Sequence, residues 1–114
     1  MPAPQINNYN LIWSDDFNGS AGTSPDGSKW DVISKPPHPS ENTGEVQTYT
    51  TSTQNSKLSG SGLLYITPEK DGSGNWTSAR LEGKQSFSCP AGHRLILQAE
   101  LRQGTAPASQ QAGK

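Results

Sequence analysis

The residues able to do chemistry in this chain are few and scattered. Two carboxyl groups held at a fixed separation can act as nucleophile and general acid, so acidic pairs are weighed first. Glu69 and Asp71 are the one Glu with an Asp two positions on, and Asp71 opens the turn sequence Asp71-Gly-Ser-Gly74, which reads as solvated surface. Glu45 shares a period-two face with Gln47 and Tyr49 but has no second carboxylate at a matching spacing. Arg80 falls on one face with Trp76, Ser78 and Glu82. An indole can stack on the C–H face of a ring and a guanidinium can donate to hydroxyls, while the plainer reading pairs Arg80 with Glu82 on the surface. His38 stands among prolines and His93 on an apolar strand face, without metal-ligand spacing. The one cysteine, Cys89, rules out an internal disulfide and a multi-cysteine zinc site.

Short strands must position these side chains. The 114 residues suffice for one small domain. Leu, Ile, Val and Phe together number seventeen, whereas Ser, Thr, Gly, Pro and Asn number fifty-two. That balance suits many turns between short strands and not a helical bundle. A net charge of −1 argues against disorder driven by charge and against nucleic acid as the main partner. No apolar run approaches the length of a membrane span.

Strands are expected over 11–17, 30–34, 45–51, 75–82 and 84–88, with a hairpin of 56–59 and 62–67 around Gly60-Ser61 and a tight turn at 71–74. The clearest alternation lies in 93–102. There His93, Leu95, Leu97, Ala99 and Leu101 share one face, and Arg94, Ile96, Gln98, Glu100 and Arg102 the other. Prolines 36, 37 and 39 interrupt the ladder, and residues 103–114 form an unpatterned tail. The expected fold is all-β, a partial jelly-roll sandwich of antiparallel strands with long loops. Its sheet edge would be open to self-association.

Six stretches, in order, resemble family-16 glycoside hydrolases, the secreted β-glucanases that include laminarinases, and in detail the fungal members. They are Leu11-Ile-Trp-Ser-Asp-Asp-Phe-Asn-Gly19, Ser28-Lys-Trp30, Asn42-Thr-Gly-Glu-Val-Gln-Thr-Tyr-Thr50, Gly62-Leu-Leu-Tyr-Ile-Thr67, Thr77-Ser-Ala-Arg-Leu81 and Phe87 followed by 92–101. The resemblance implies a concanavalin-like β-jelly roll across 1–114 that forms the N-terminal part of a single domain. It also implies retaining hydrolysis of β-1,3 or mixed β-1,3/1,4 glucans. Retaining hydrolysis needs two carboxyl groups about 5–5.5 Å apart. The family supplies them from a Glu-x-Asp-x-x-Glu strand, and that motif does not occur in these 114 residues. The expectation is therefore no catalytic residue in this chain and no hydrolysis by it alone.

By the same resemblance, Arg80, Trp76, Tyr49, Glu45 and Asn42 are the expected substrate-binding residues. Thr43-Gly44 separates Asn42 from Glu45, a departure from the family pattern. Trp13 and Trp30 are expected in the core. No cofactor is expected beyond a structural calcium, for which Asp15 and Asp16 are candidates. The expected partner is β-glucan, with no nucleic acid and no membrane, and the expected location is extracellular, although 1–4 carries no signal-like stretch. In a secreted chain Cys89 would seek a partner elsewhere, and Asn18-Gly-Ser20 and Asn75-Trp-Thr77 would be glycosylation sequons. Two alternatives stand beside this reading: a non-catalytic glucan-binding or decoy protein, and a truncated structural piece without a ligand.

Overall fold

The computed structural model describes residues 2–35 and 45–103. Asn42, His38 and nearly all of the expected tail lie outside the described residues. Seven short strands are present: β1 Trp30–Val32, β2 Thr48–Tyr49, β3 Ser56–Leu58, β4 Leu64–Ile66, β5 Glu69–Lys70, β6 Trp76–Ser78 and β7 Leu81–Gly83. They form three small sheets, β1–β7, β2–β6–β5 and β3–β4. The all-β expectation holds. Every pairing is antiparallel except β2–β6, which runs parallel with Tyr49 opposite Ser78.

Both expected turns form, for chemical reasons visible in the sequence. In the β3–β4 hairpin the Ser59 hydroxyl accepts from the backbone N–H groups of Ser61 and Leu63, at 3.0 and 3.1 Å. Gly60 sits there at φ +84°, and a Cβ on it would lie 2.8 Å from that of Ala21, so only glycine fits. In the β5–β6 turn the Asp71 carboxylate accepts from the N–H groups of Ser73 and Asn75, at 2.8 and 2.9 Å. Those bonds, that of Asn75 foremost, hold the Asp71 carboxyl below its ordinary range.

Hydrophobic burial is sparse. Among the described residues, Pro25, Leu58 and Ala79 are the buried apolar side chains. A polar hub stands beside them. Asn55 is 3% exposed, and its amide Nδ2 donates to the Thr67 carbonyl and to Thr77 Oγ1, each at 3.0 Å. Its Oδ1 accepts from the Thr50 hydroxyl. Asn55 thereby ties the segment after β2, the end of β4 and the middle of β6 to the start of β3. With two donors and an acceptor engaged, the cost of burying the amide is offset.

An aromatic cluster holds the other end. Trp13 meets Trp30 edge-on at 5.5 Å and Phe87 at 6.2 Å, and Phe17 stacks on Trp30 at 6.2 Å. The Asp15 carboxylate accepts from the Trp30 indole N–H at 2.7 Å and from the Phe17 backbone N–H at 2.8 Å. Trp13 and Trp30 are thus packed against each other, as expected, although both stay half-buried. Phe17 has φ +53°, an uncommon conformation for a bulky residue, secured by its stacking and by the Asp15 turn.

Several expected strands differ. Segment 11–17 is not a strand: its alternate residues Trp13, Asp15 and Phe17 all turn toward Trp30, so side chains attach it and no ladder does. The expected strand 75–82 is broken between β6 and β7, because β6 pairs with β2 and β5 while β7 pairs with β1. Segments 84–88 and 93–102 are not strands either. Alternation gives a segment two faces, but a strand also needs a neighbour's hydrogen bonds, and no described strand pairs with 93–102. The apolar face expected to pack is open, with Leu97 90% and Leu101 85% exposed.

Two substitutions test which interactions hold this arrangement. Asn55→Ala strands the Thr50 hydroxyl and the Thr67 carbonyl and is expected to cost about 2–3 kcal/mol in urea denaturation. Asp15→Ala is expected to cost about 1–2 kcal/mol and to weaken the near-ultraviolet circular dichroism of the tryptophans, with Asp15→Asn intermediate because one acceptor oxygen remains.

Candidate sugar-binding face

The β2–β6 pairing decides which side chains face outward together. Along 76–82, Trp76, Arg80 and Glu82 are exposed, Thr77, Ser78 and Leu81 are half-buried, and Ala79 is buried. Of the inner positions, Thr77 bonds the Asn55 hub. The outer positions form a face of their own. Tyr49 lies opposite Ser78 in β6, and directly opposed residues share a face. Gln47 joins them, its amide donating to Tyr49 Oη at 3.0 Å. Further bonds fix the face from beneath. Thr50 N–H donates to the Ser78 carbonyl, Ile33 N–H to the Arg80 carbonyl, and Lys35 and Tyr49 exchange backbone bonds.

Of the expected substrate-binding residues, Tyr49 lies opposite Ser78, and Trp76 and Arg80 stand two positions before and after Ser78, both exposed. Glu45 is exposed, two residues before Gln47. Asn42 falls outside the described residues. Arg80 Nε lies 3.2 Å from Glu82 Oε1, with both side chains about half exposed at 50% and 52%. This is the surface pairing foreseen as the plainer reading, and it does not use up the guanidinium, which has five N–H donors. Trp76 is 39% exposed, and Lys70 Nζ lies 5.6 Å from its ring centre. The face combines a phenol, an indole, an amide and a guanidinium. That set can stack on a sugar ring and donate to or accept from its hydroxyls.

Asp15 and Asp16, the calcium candidates, border a cavity of about 170 Å³ with Asp26 and Lys29. Both Asp15 oxygens already accept hydrogen bonds, and Lys29 brings a positive charge to the same cavity. Asp26 is likewise engaged: the Ser28 hydroxyl and N–H bind its carboxylate and hold its pKa down. Among the described residues no three His, Cys, Asp or Glu side chains converge as metal ligands. A second, apolar cavity of about 240 Å³ is lined by Ile12, Trp13, Phe87, Leu95, Ile96 and Leu97.

Sequence reasoning missed Asn55 and the bond of Asp15 to the Trp30 indole. Nothing local distinguishes Asn55 from a turn residue, since its partners lie 5, 12 and 22 positions away. Asp15 carried a signal in its alternation with Trp13 and Phe17.

No family model and no curated protein matches the chain. Solved structures do. An endo-1,3-β-glucanase from Streptomyces sioyaensis is 41% identical with a TM-score of 0.72, over 81% of this chain and 34% of that one. A family-16 glycosyl hydrolase protein from Mycobacterium smegmatis is 27% identical with a TM-score of 0.59, over 71% and 37%. An immunostimulatory antigen and pseudo-β-1,3-glucanase of Mycobacterium tuberculosis is 28% identical with a TM-score of 0.58, over 66% and 33%. The chain thus spans about a third of the length of the structures it matches. The ordered motifs, the all-β strands and the 41% identity together place this chain among the family-16 glycoside hydrolases.

Proposed function

We propose that the face of Tyr49, Trp76 and Arg80 forms part of the wall of a β-glucan-binding cleft, and that this chain binds glucan without hydrolysing it on its own. The observation that carries the reading is the parallel β2–β6 pairing. It sets Tyr49 against the strand that bears Trp76 and leads to Arg80. The names of the matched structures support glucan as the substrate class. Trp76 supplies an apolar plate for the C–H face of a glucose unit, and the remaining Arg80 donors reach its hydroxyls. Such a polymer is met outside the cell, so an extracellular location follows from the same proposal.

Hydrolysis with retention needs two carboxyl groups about 5–5.5 Å apart on either side of the scissile bond. The family's Glu-x-Asp-x-x-Glu strand would supply them from outside these 114 residues. Glu82 is held by Arg80, and Glu45 stands without a second carboxyl in the sequence pattern. A second reading, a glucan-binding protein with no hydrolytic role, is favoured by one comparison, the matched antigen described as a pseudo-β-1,3-glucanase.

The purified chain is expected to be retained by insoluble β-1,3-glucan and to release no reducing sugar from laminarin or barley glucan above a heat-killed control. Sugar release abolished by Glu45→Gln would instead make Glu45 a catalytic acid. Arg80→Ala is expected to weaken laminarin binding about tenfold by calorimetry, the loss of one charge-assisted hydrogen bond. Its stability should change by less than about 0.5 kcal/mol, since the residue is on the surface. Equal affinity in variant and parent would return Arg80 to a surface ion pair.

A further inference from the structure

Trp76 does not stand alone on its sheet. In the order β2–β6–β5 its cross-strand partner is Lys70, and directly opposed residues share a face. The register that joins them is fixed locally. Asp71 N–H donates to the Asn75 carbonyl at 2.9 Å, and the Asp71 carboxylate accepts from the N–H groups of Ser73 and Asn75. Gly74, at φ +84°, closes the turn, and a Cβ built on it would stand 3.8 Å from Lys70 Cε. The Lys70 stem therefore passes beside the turn and carries its ammonium over the Trp76 ring, with Nζ 5.6 Å from the ring centre. Both partners of this contact belong to the β5–β6 hairpin, which holds them together by its own bonds.

The face of an indole is electron-rich. It attracts an ammonium and the C–H groups of a sugar ring for the same electrostatic reason. A given ring face has room for one of them. Arg80 has a carboxylate of its own in Glu82, with Nε 3.2 Å from Oε1, whereas Lys70 is the cation that sits on the indole. Lys70 thus holds the surface on which the proposed sugar contact depends. Its long unbranched stem lets the ammonium swing into water when a ring takes its place.

We infer that Lys70 shields the Trp76 indole: its ammonium occupies the ring face on which a glucose unit stacks, and glucan binding displaces it. Lys70 is then a specificity-determining residue of the cleft wall. A ligand that stacks on Trp76 less strongly than the ammonium is turned away, and one that stacks more strongly binds at the expense of the cation–π contact. The inference rests on the glucan reading and adds to it a residue that works against binding.

Calorimetric titration of the purified chain and its Lys70 variants with a β-1,3-linked glucose oligosaccharide tests it, with circular dichroism to confirm that each variant keeps its fold. Lys70→Ala and Lys70→Glu are each expected to tighten binding about twofold to fivefold, the equivalent of an exposed cation–π contact. Lys70→Glu does so despite its reversed charge, because the ring face repels a carboxylate. Lys70→Arg keeps a cation on the ring and is expected to bind no tighter than the parent. In the parent chain the ε-methylene protons of Lys70 are expected to be shifted upfield by the indole ring current, and saturating oligosaccharide is expected to abolish that shift. Equal or weaker binding by Lys70→Ala while the parent binds, tightening by Lys70→Arg as well, or a ring-current shift that persists in the complex would overturn the inference and leave the glucan reading standing. No binding by the parent or by Lys70→Ala would overturn both together.

Discussion

The buried amide of Asn55 is the constraint on which the arrangement depends. With Pro25, Leu58 and Ala79 the buried apolar side chains among the described residues, burial of hydrocarbon does little to choose how three small sheets sit together. Asn55 does so by direction. Its bonds to Thr50, Thr67 and Thr77 have lengths and angles that a sliding apolar contact would lack. Thr77 bonds the hub and Ala79 is buried, while Trp76 and Arg80 on either side of them are exposed. The candidate sugar face is thus the reverse side of the hub. It inherits its geometry from a residue that never touches it.

A second anchor, Asp15 on the Trp30 indole, explains how a segment without ladder bonds holds its place. Residues 11–17 attach through one face of alternating side chains, and Trp30 gathers them onto β1. The two anchors do different work. The hub fixes sheet against sheet, and the aromatic cluster fixes the first segment against the β1–β7 pair.

Local chemistry made the turns legible in the sequence. Ser59 and Asp71 each act within five residues and Gly60 supplies a positive φ, and both hairpins follow from them. The family and its all-β fold were legible in the order of six short motifs. The grouping of Trp76 with Arg80 followed from period two, and Tyr49 joined them only through the parallel pairing with β6, which no local pattern encodes. The failures have one physical cause. Alternation in 11–17 and 93–102 reports two faces, but whether a segment becomes a strand depends on a partner, and partners are chosen by contacts distant in sequence. Asn55 escaped notice for the same reason.

The central claim is that the outer face of the β2–β6 pair meets glucan. Titrating the isotope-labelled chain with a short β-1,3-glucan oligosaccharide, and following its amide, indole and guanidinium resonances, tests this most directly. The account predicts shifts concentrated at Tyr49, Trp76, Ser78 and Arg80, with the Trp13 and Trp30 indoles unmoved. Shifts centred on the aromatic cluster, or none at saturating oligosaccharide, would contradict it.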